Sequence, residues 1–256
     1  MNLDIAQYSI VVPNYYDYKT RVLVLSDVHD QHYDLLIDVM NELTFDIIFI
    51  TGDLCTKHIS NAKHNDNFKK YGISYGALRF LEYCVGKTKT YYSLGNHEWM
   101  FDADDYKAIE NIGCTLLNDR YIKASDNVYV AGLNSPIKYE RNGIIPEYYD
   151  PNIKWLNDYE KIKGYKFLLC HHPEYYDKYL KNRNIDLIIS GHAHGGQIRI
   201  GSHGLYAPGQ GLLPKYTSGY IDKKIVISRG IANTAKIIPR INNNPEIVIL
   251  NMITSN

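Results

Sequence analysis

The stretch ISGHAHGGQ, residues 189 to 197, closes an apolar run with His192 and His194 two apart and Gly191, Gly195 and Gly196 around them. On a strand, residues i and i+2 point to one side, so both imidazoles are expected to face the same way. Two imidazoles so aimed can share a metal ion, and the glycines let the backbone turn sharply and let a partner approach closely. On its own, the pair reads equally well as two solvated loop histidines.

The grouping recurs along the chain. RVLVLS is followed by Asp27 and His29, DIIFIT by Gly52 and Asp53, TYYSL by Gly95, Asn96 and His97, and KFLLC by His171 and His172. Any single Asp after a strand reads as a turn or cap residue. Five apolar segments that each end in a carboxylate, an imidazole or a carboxamide read instead as one metal site. The proposed ligand set is Asp27, His29, Asp53, Asn96, His171, His192 and His194. Structural zinc prefers thiolates, and calcium or magnesium prefers oxygen alone. The mixed set suits manganese, iron, zinc or cobalt, without choosing among them. Seven side chains exceed one tetrahedral shell, so two ions sharing a carboxylate are expected, with Asp53 as the bridge.

The elements that must position these residues alternate. RVLVLS, DIIFIT, KTYYSL, YKFLLC and DLIIS read as buried strands. HYDLLIDVMNEL, YGALRFLEYCV, DADDYKAIENIG, PNIKWLNDYEKI and EYYDKYLKNR read as helices between them. RYIKAS and NVYVAGL read as two strands about a turn. Beyond residue 196 the helical pattern stops, and QIRI, KYTSGYI, KKIVISR and PEIVILNM read as strands. The pattern predicts layered α/β with a second sheet, or an extension of the first, supplied by the tail. Ligands in open α/β sheets bind at the carboxyl ends of strands, where the candidate residues stand. Without a linker or a repeat, residues 1–256 are expected to form a single domain. Residues 55–70 form the one long irregular stretch, with His58 and His64 in it.

Composition sets the bounds. Lys+Arg 28 balances Asp+Glu 28, which gives no general attraction to long nucleic acid. No run approaches the ~18 apolar residues of a membrane span, and the first residues do not read as a signal peptide. Any membrane-bound substrate therefore requires peripheral contact. Cys55, Cys84, Cys114 and Cys170 form no close pair, which suits reduced thiols and a cytoplasmic location.

SDVHD, GDL, GNHE, HHP and SGHAHGGQ, in this order over residues 26 to 197, resemble the calcineurin-like metallophosphoesterase signature. The later GLYAPGQGLLPKYTSGYI and PRINNNPEIVIL are similar to the branch holding small bacterial phosphodiesterases and phosphohydrolases. The resemblance implies a four-layer αββα sandwich of two mixed β-sheets flanked by helices. It assigns Asp27, His29, Asp53 and His194 to one metal, and Asp53, Asn96, His171 and His192 to the other. His97 would sit beside the pair without ligating, as proton donor to the leaving oxygen, so Asn96 and His97 are the candidate catalytic residues. The implied reaction is attack of metal-activated hydroxide on a small-molecule phosphoester. A phosphodiester is the favoured substrate. A nucleotide-linked lipid or sugar pyrophosphate is the alternative, and a non-catalytic metal-dependent binding module is a third reading.

Two departures stand out. Protein phosphatases of the superfamily carry an arginine soon after Gly-Asp, and GDLCTKHIS has none. Relatives carry an acid after the mid-chain glycine where this chain has Asn134 and Ser135. His172 is expected to pack beside the ligands rather than join them. Glu98 is expected to bond a ligand histidine or to begin the next helix, and Arg229 is expected in an ion pair.

Overall fold

The computed structural model describes residues 2–13, 20–56, 72–139, 146–147, 149–234 and 239–254. His58 and His64, and the long stretch from residue 57, lie outside them. The principal strands in chain order are β1 Asp4–Val12, β2 Thr20–Leu25, β3 Ile47–Thr51, β4 Lys89–Ser93, β5 Thr115–Leu117, β6 Arg120–Ser125, β7 Val128–Leu133, β8 Tyr165–Cys170, β9 Leu187–Ser190, β10 Gly219–Ile221, β11 Ile225–Ile227 and β12 Glu246–Thr254. The helices are α1 Tyr33–Glu42, α2 Tyr75–Lys87, α3 Ala103–Asn111 and the short α4 Leu156–Tyr159.

Two six-stranded mixed sheets result. One runs β1-β12-β2-β3-β4-β5 and the other β10-β11-β9-β8-β7-β6. The inner strands β2, β3, β8 and β9 are apolar on both faces, as strands buried between layers must be, whereas the edge strands β1 and β6 alternate with exposed residues. In β2, Leu23 and Leu25 pack under the helices, whereas Val22 and Val24 face the second sheet. In β8, Phe167 and Leu169 face the first sheet, and Leu168 and Cys170 face the outer layer of the second. Three apolar clusters therefore separate four layers, and the αββα expectation holds.

Local signals place the helices. Ser74 caps α2 by accepting from Ala77 N at 3.0 Å. Asp102 and Asp105 form a capping box at α3. Two expected helices come out shorter. Around α4, Leu156 N bonds Ile153 O and Ile162 N bonds Tyr159 O, so the flanks are tight i→i+3 turns. Residues 176–180 form a π-turn, in which Lys181 N reaches Tyr176 O at 2.8 Å.

The tail both extends the second sheet, through β10 and β11, and enters the first. β12 lies between β1 and β2, parallel to β1 and antiparallel to β2. Arg229 ties this join together, with Nε 2.6 Å from Glu246 Oε2 and Nη2 2.9 Å from Asp4 Oδ2, which is the structural ion pair expected for it. No described helix is long and apolar enough to cross a membrane. All four cysteines are free and buried.

Candidate metal centre

The carboxyl ends of β2, β3, β4, β8 and β9 meet between the two sheets. Ser93 Oγ donates to Leu169 O at 3.2 Å and so joins the ends of β4 and β8. His171, just past β8, sets Nδ1 2.7 Å from Thr51 O at the end of β3. A carbonyl only accepts, so Nδ1 carries a proton. Burial lowers the ring's pKa, but Asp53 and then Asp27 outweigh it and push it up to about 10.

Two carboxylate oxygens are the foci. Asp53 Oδ2 lies 3.2 Å from His171 Nε2, 3.6 Å from His29 Nε2 and 3.9 Å from His97 Nε2. Asp27 Oδ1 lies 3.5 Å from His194 Nε2 and 3.9 Å from both His29 Nε2 and His171 Nε2. Asp27, His29 and His194 can each offer an atom to one cation, and Asp53, His171 and His192 can do so to another. His29 and Asp53 also group with His97. Asn96 is buried at the start of the 3₁₀ turn Asn96–Glu98, and the N–H of the adjacent His97 donates to Asp53 Oδ1 at 2.8 Å.

These residues leave their strands through strained backbone. Asp27, His29, Asp53, His192 and His194 all have positive φ, between 45° and 63°. Non-glycine residues enter this region uncommonly, and such strain gathers at functional sites. It also corrects the strand-alternation reading of the paired histidines. His192 and His194 lie beyond β9, and the turn sends His194 to the Asp27 group and His192 to the Asp53 group.

The donor set fits cations. Nε2 of His171 faces the Asp53 and Asp27 carboxylates, and both ring nitrogens of His29 are buried with no hydrogen-bond partner. Each such group costs about 1–3 kcal/mol unless something occupies its lone pair or proton. Burial and the nearby His97 hold His29 well below its ordinary pKa. Burial and the nearby His172 do the same for His192. Neutral imidazole is the form that binds a metal. Burial pushes the Asp53 carboxyl up, but His171 and His97 outweigh it and hold the group well below the usual range.

Glu98 lies in the 3₁₀ turn Asn96–Glu98, where Oε2 accepts from Asp53 N at 2.9 Å and Gly95 N at 2.7 Å. Burial and then Asp53 push its carboxyl up to about 7.

Residues 20–196 match the calcineurin-like phosphoesterase family. The chain belongs to that family. Among its relatives is the "Uncharacterized protein YpbG" of Bacillus subtilis, 26% identical over 90% of this chain and 80% of that one. The "Uncharacterized metallophosphoesterase YkoQ" of the same organism is 26% identical over 90% of this chain and 82% of its own length. An "Uncharacterized metallophosphoesterase" of Helicobacter pylori is 27% identical over 71% of this chain and 46% of its own length. Family and side-chain chemistry agree, and this calcineurin-like phosphoesterase is a metal-dependent phosphoric ester hydrolase.

Several residues of this phosphoesterase escaped the sequence reading. Arg240 Nη2 donates to Ala232 O at 2.7 Å and Arg229 O at 2.8 Å, and lies 3.4 Å from His194 Nδ1. The turn it holds returns Ala232 N to Asp27 O at 2.8 Å. Asn243 Nδ2 donates to His194 O at 2.7 Å and Gln197 O at 3.1 Å, which fixes the GHAHGG turn. His172 stays outside both groups, with Nε2 2.6 Å from Ser135 Oγ and Nδ1 3.1 Å from Glu174 Oε1. No spacing in the sequence announces the contacts of His194 with Arg240 and Asn243, or of His172 with Ser135, because they join segments 37 to 49 residues apart.

Proposed function

We propose that the chain is a small-molecule phosphodiesterase. In this reading Asp27, His29, Asp53 and His194 hold one cation, and Asp53, Asn96, His171 and His192 hold a second. The observation that carries it is the position of Asp53 Oδ2, within 3.9 Å of three imidazole nitrogens that belong to three different segments. When bound, a cation pair neutralises phosphoryl charge and acidifies water.

The chain's own residues supply the rest. Asp27 and Asp53 provide the negative charge that retains cations in a buried site. His171, with Nδ1 held by Thr51 O, keeps Nε2 directed at Asp53. His97 is 19% exposed on its side chain, whereas His29 and His171 are 0% exposed. A partly exposed ring, on a residue whose backbone N–H donates to Asp53 Oδ1, suits a proton donor to the leaving oxygen. The lack of an arginine in GDLCTK favours a singly charged diester over a dianionic monoester. The same reading takes residues 1–256 as one domain.

One observation favours a second reading, a nucleotide-linked lipid pyrophosphate. Leu212 and Leu213 are 81% and 79% exposed, and Leu213 N bonds Leu205 O, whose own N–H reaches Gly196 O of the histidine turn. Apolar side chains are thus presented on segments that spring from the site.

The test is turnover of mono-, di- and pyrophosphate esters by protein reconstituted separately with manganese, iron and zinc. Diester cleavage should exceed the other two. Preference for a monoester would overturn the diesterase reading, and preference for a pyrophosphate would favour the second.

A further inference from the structure

We propose that Glu174 is a positioning residue for His192, and that Gly209 is the seat that holds it there. The inference rests on the reading of His192 as a metal ligand.

Glu174 follows the HHP segment and turns its carboxylate back toward the site. Oε1 lies 3.1 Å from His172 Nδ1 and 3.9 Å from His192 Nε2. The rings of His172 and His192 meet edge-on, with centroids 4.3 Å apart. His172 is held at both nitrogens, by Glu174 and by Ser135 Oγ at 2.6 Å, so it forms a fixed wall beside His192. His192 Nε2 and Glu174 Oε2 are each buried with no hydrogen-bond partner. A move of about 1 Å would bring the 3.9 Å approach to ordinary hydrogen-bond length.

Neutral imidazole carries its proton on one nitrogen only. A carboxylate facing Nε2 draws the proton there and leaves the lone pair on Nδ1 for the cation. A carboxylate behind a ligand histidine fixes the ring and raises its basicity, and its loss costs about 10–100-fold in metal affinity.

Gly209 completes the arrangement from a segment the catalytic reading does not use. It sits at φ +72°, and a Cβ there would fall 2.2 Å from Glu174 Oε1. A side chain at residue 209 would strain the left-handed backbone and push the Glu174 carboxylate out of its present place.

The experiment is calorimetric zinc titration of the metal-stripped full chain. Wild type should take up two equivalents. Glu174→Ala should weaken one of them about 10–100-fold and leave the other unchanged, with Glu174→Gln, which keeps an acceptor, recovering part of the loss. Gly209→Ala should resemble Glu174→Ala. A nitrogen-15 imidazole spectrum of the zinc-loaded wild type should place the His192 proton on Nε2. Two tight equivalents in Glu174→Ala would overturn the proposal, as would equal weakening of both sites or a His192 proton on Nδ1. Fewer than two equivalents in wild type would remove the two-cation reading, and this inference with it.

Discussion

Gly95 lies directly against Asp53: a Cβ built on Gly95 would stand 2.3 Å from Asp53 Oδ1 and 2.7 Å from Asp53 N. The bare backbone at the end of β4 is therefore what lets the carboxylate stand where three imidazoles meet.

Gly95→Ala should displace Asp53 and lower turnover by about 10²-fold, the usual effect of an ångström-scale misplacement. Gly86 is the control, since its Cβ would meet nothing within 4 Å and it lies near the end of α2. Gly86→Ala should leave turnover alone and stabilise the fold by about 0.5–1 kcal/mol, read as a rise in Tm. Equal turnover in both variants would mean that the contact with Asp53 is unimportant.

Asp53→Asn should deplete both cations, because Oδ2 faces His171, His29 and His97 together. Elemental analysis of the purified variant checks this directly. Two metals retained per chain would exclude Asp53 as the bridge.

His97→Ala should slow diester cleavage by about 10²–10⁴-fold while metal content stays at the wild-type value. Its partial exposure separates it from the fully buried imidazoles. Unchanged turnover would end its assignment as proton donor.

Glu98→Ala should destabilise the fold by roughly 3 kcal/mol, since it strips the acceptor from the buried amides of Asp53 and Gly95. Urea unfolding reads this as a lower midpoint at unchanged slope. An unchanged midpoint would show that those amides find other partners.

Chelation should lower Tm, and restoring manganese or zinc should raise it again, because cations that bind only the folded chain stabilise it by mass action. A Tm indifferent to chelator would argue that the unpartnered ring nitrogens of His29 are not satisfied by metal.

Much of this was legible in the sequence, and the reason is local. IIFIT and RVLVL read as buried strands because the alternate residues of IIFI and VLVL enter two different apolar clusters, so each of those positions is hydrophobic. The acids and glycines that follow such runs fall at strand ends by chain order alone. Where the pattern was mixed, legibility fell. β1 was missed because its residues alternate half-buried and exposed at a sheet edge, which reads as polar chain. PNIKWLNDYEKI has helical periodicity, yet only four residues of it hold an α-turn.

The candidate metal-holding side chains, the layered α/β plan and the strand ends that carry them were legible in the sequence by itself, since these follow from side-chain chemistry and short-range periodicity. The resemblance already set His192 and His194 against different metals, and the tertiary structure supplies the physical reason: left-handed backbone at both positions cancels the alternation their spacing suggests. It alone decided that Glu98 serves amides, that Asn243 and Arg240 brace the histidine turn, and that β12 enters between β1 and β2. Glu98 with Asp53, Asn243 with His194 and β12 with β2 all join residues distant in sequence, and those contacts exist only once the separate segments have packed together.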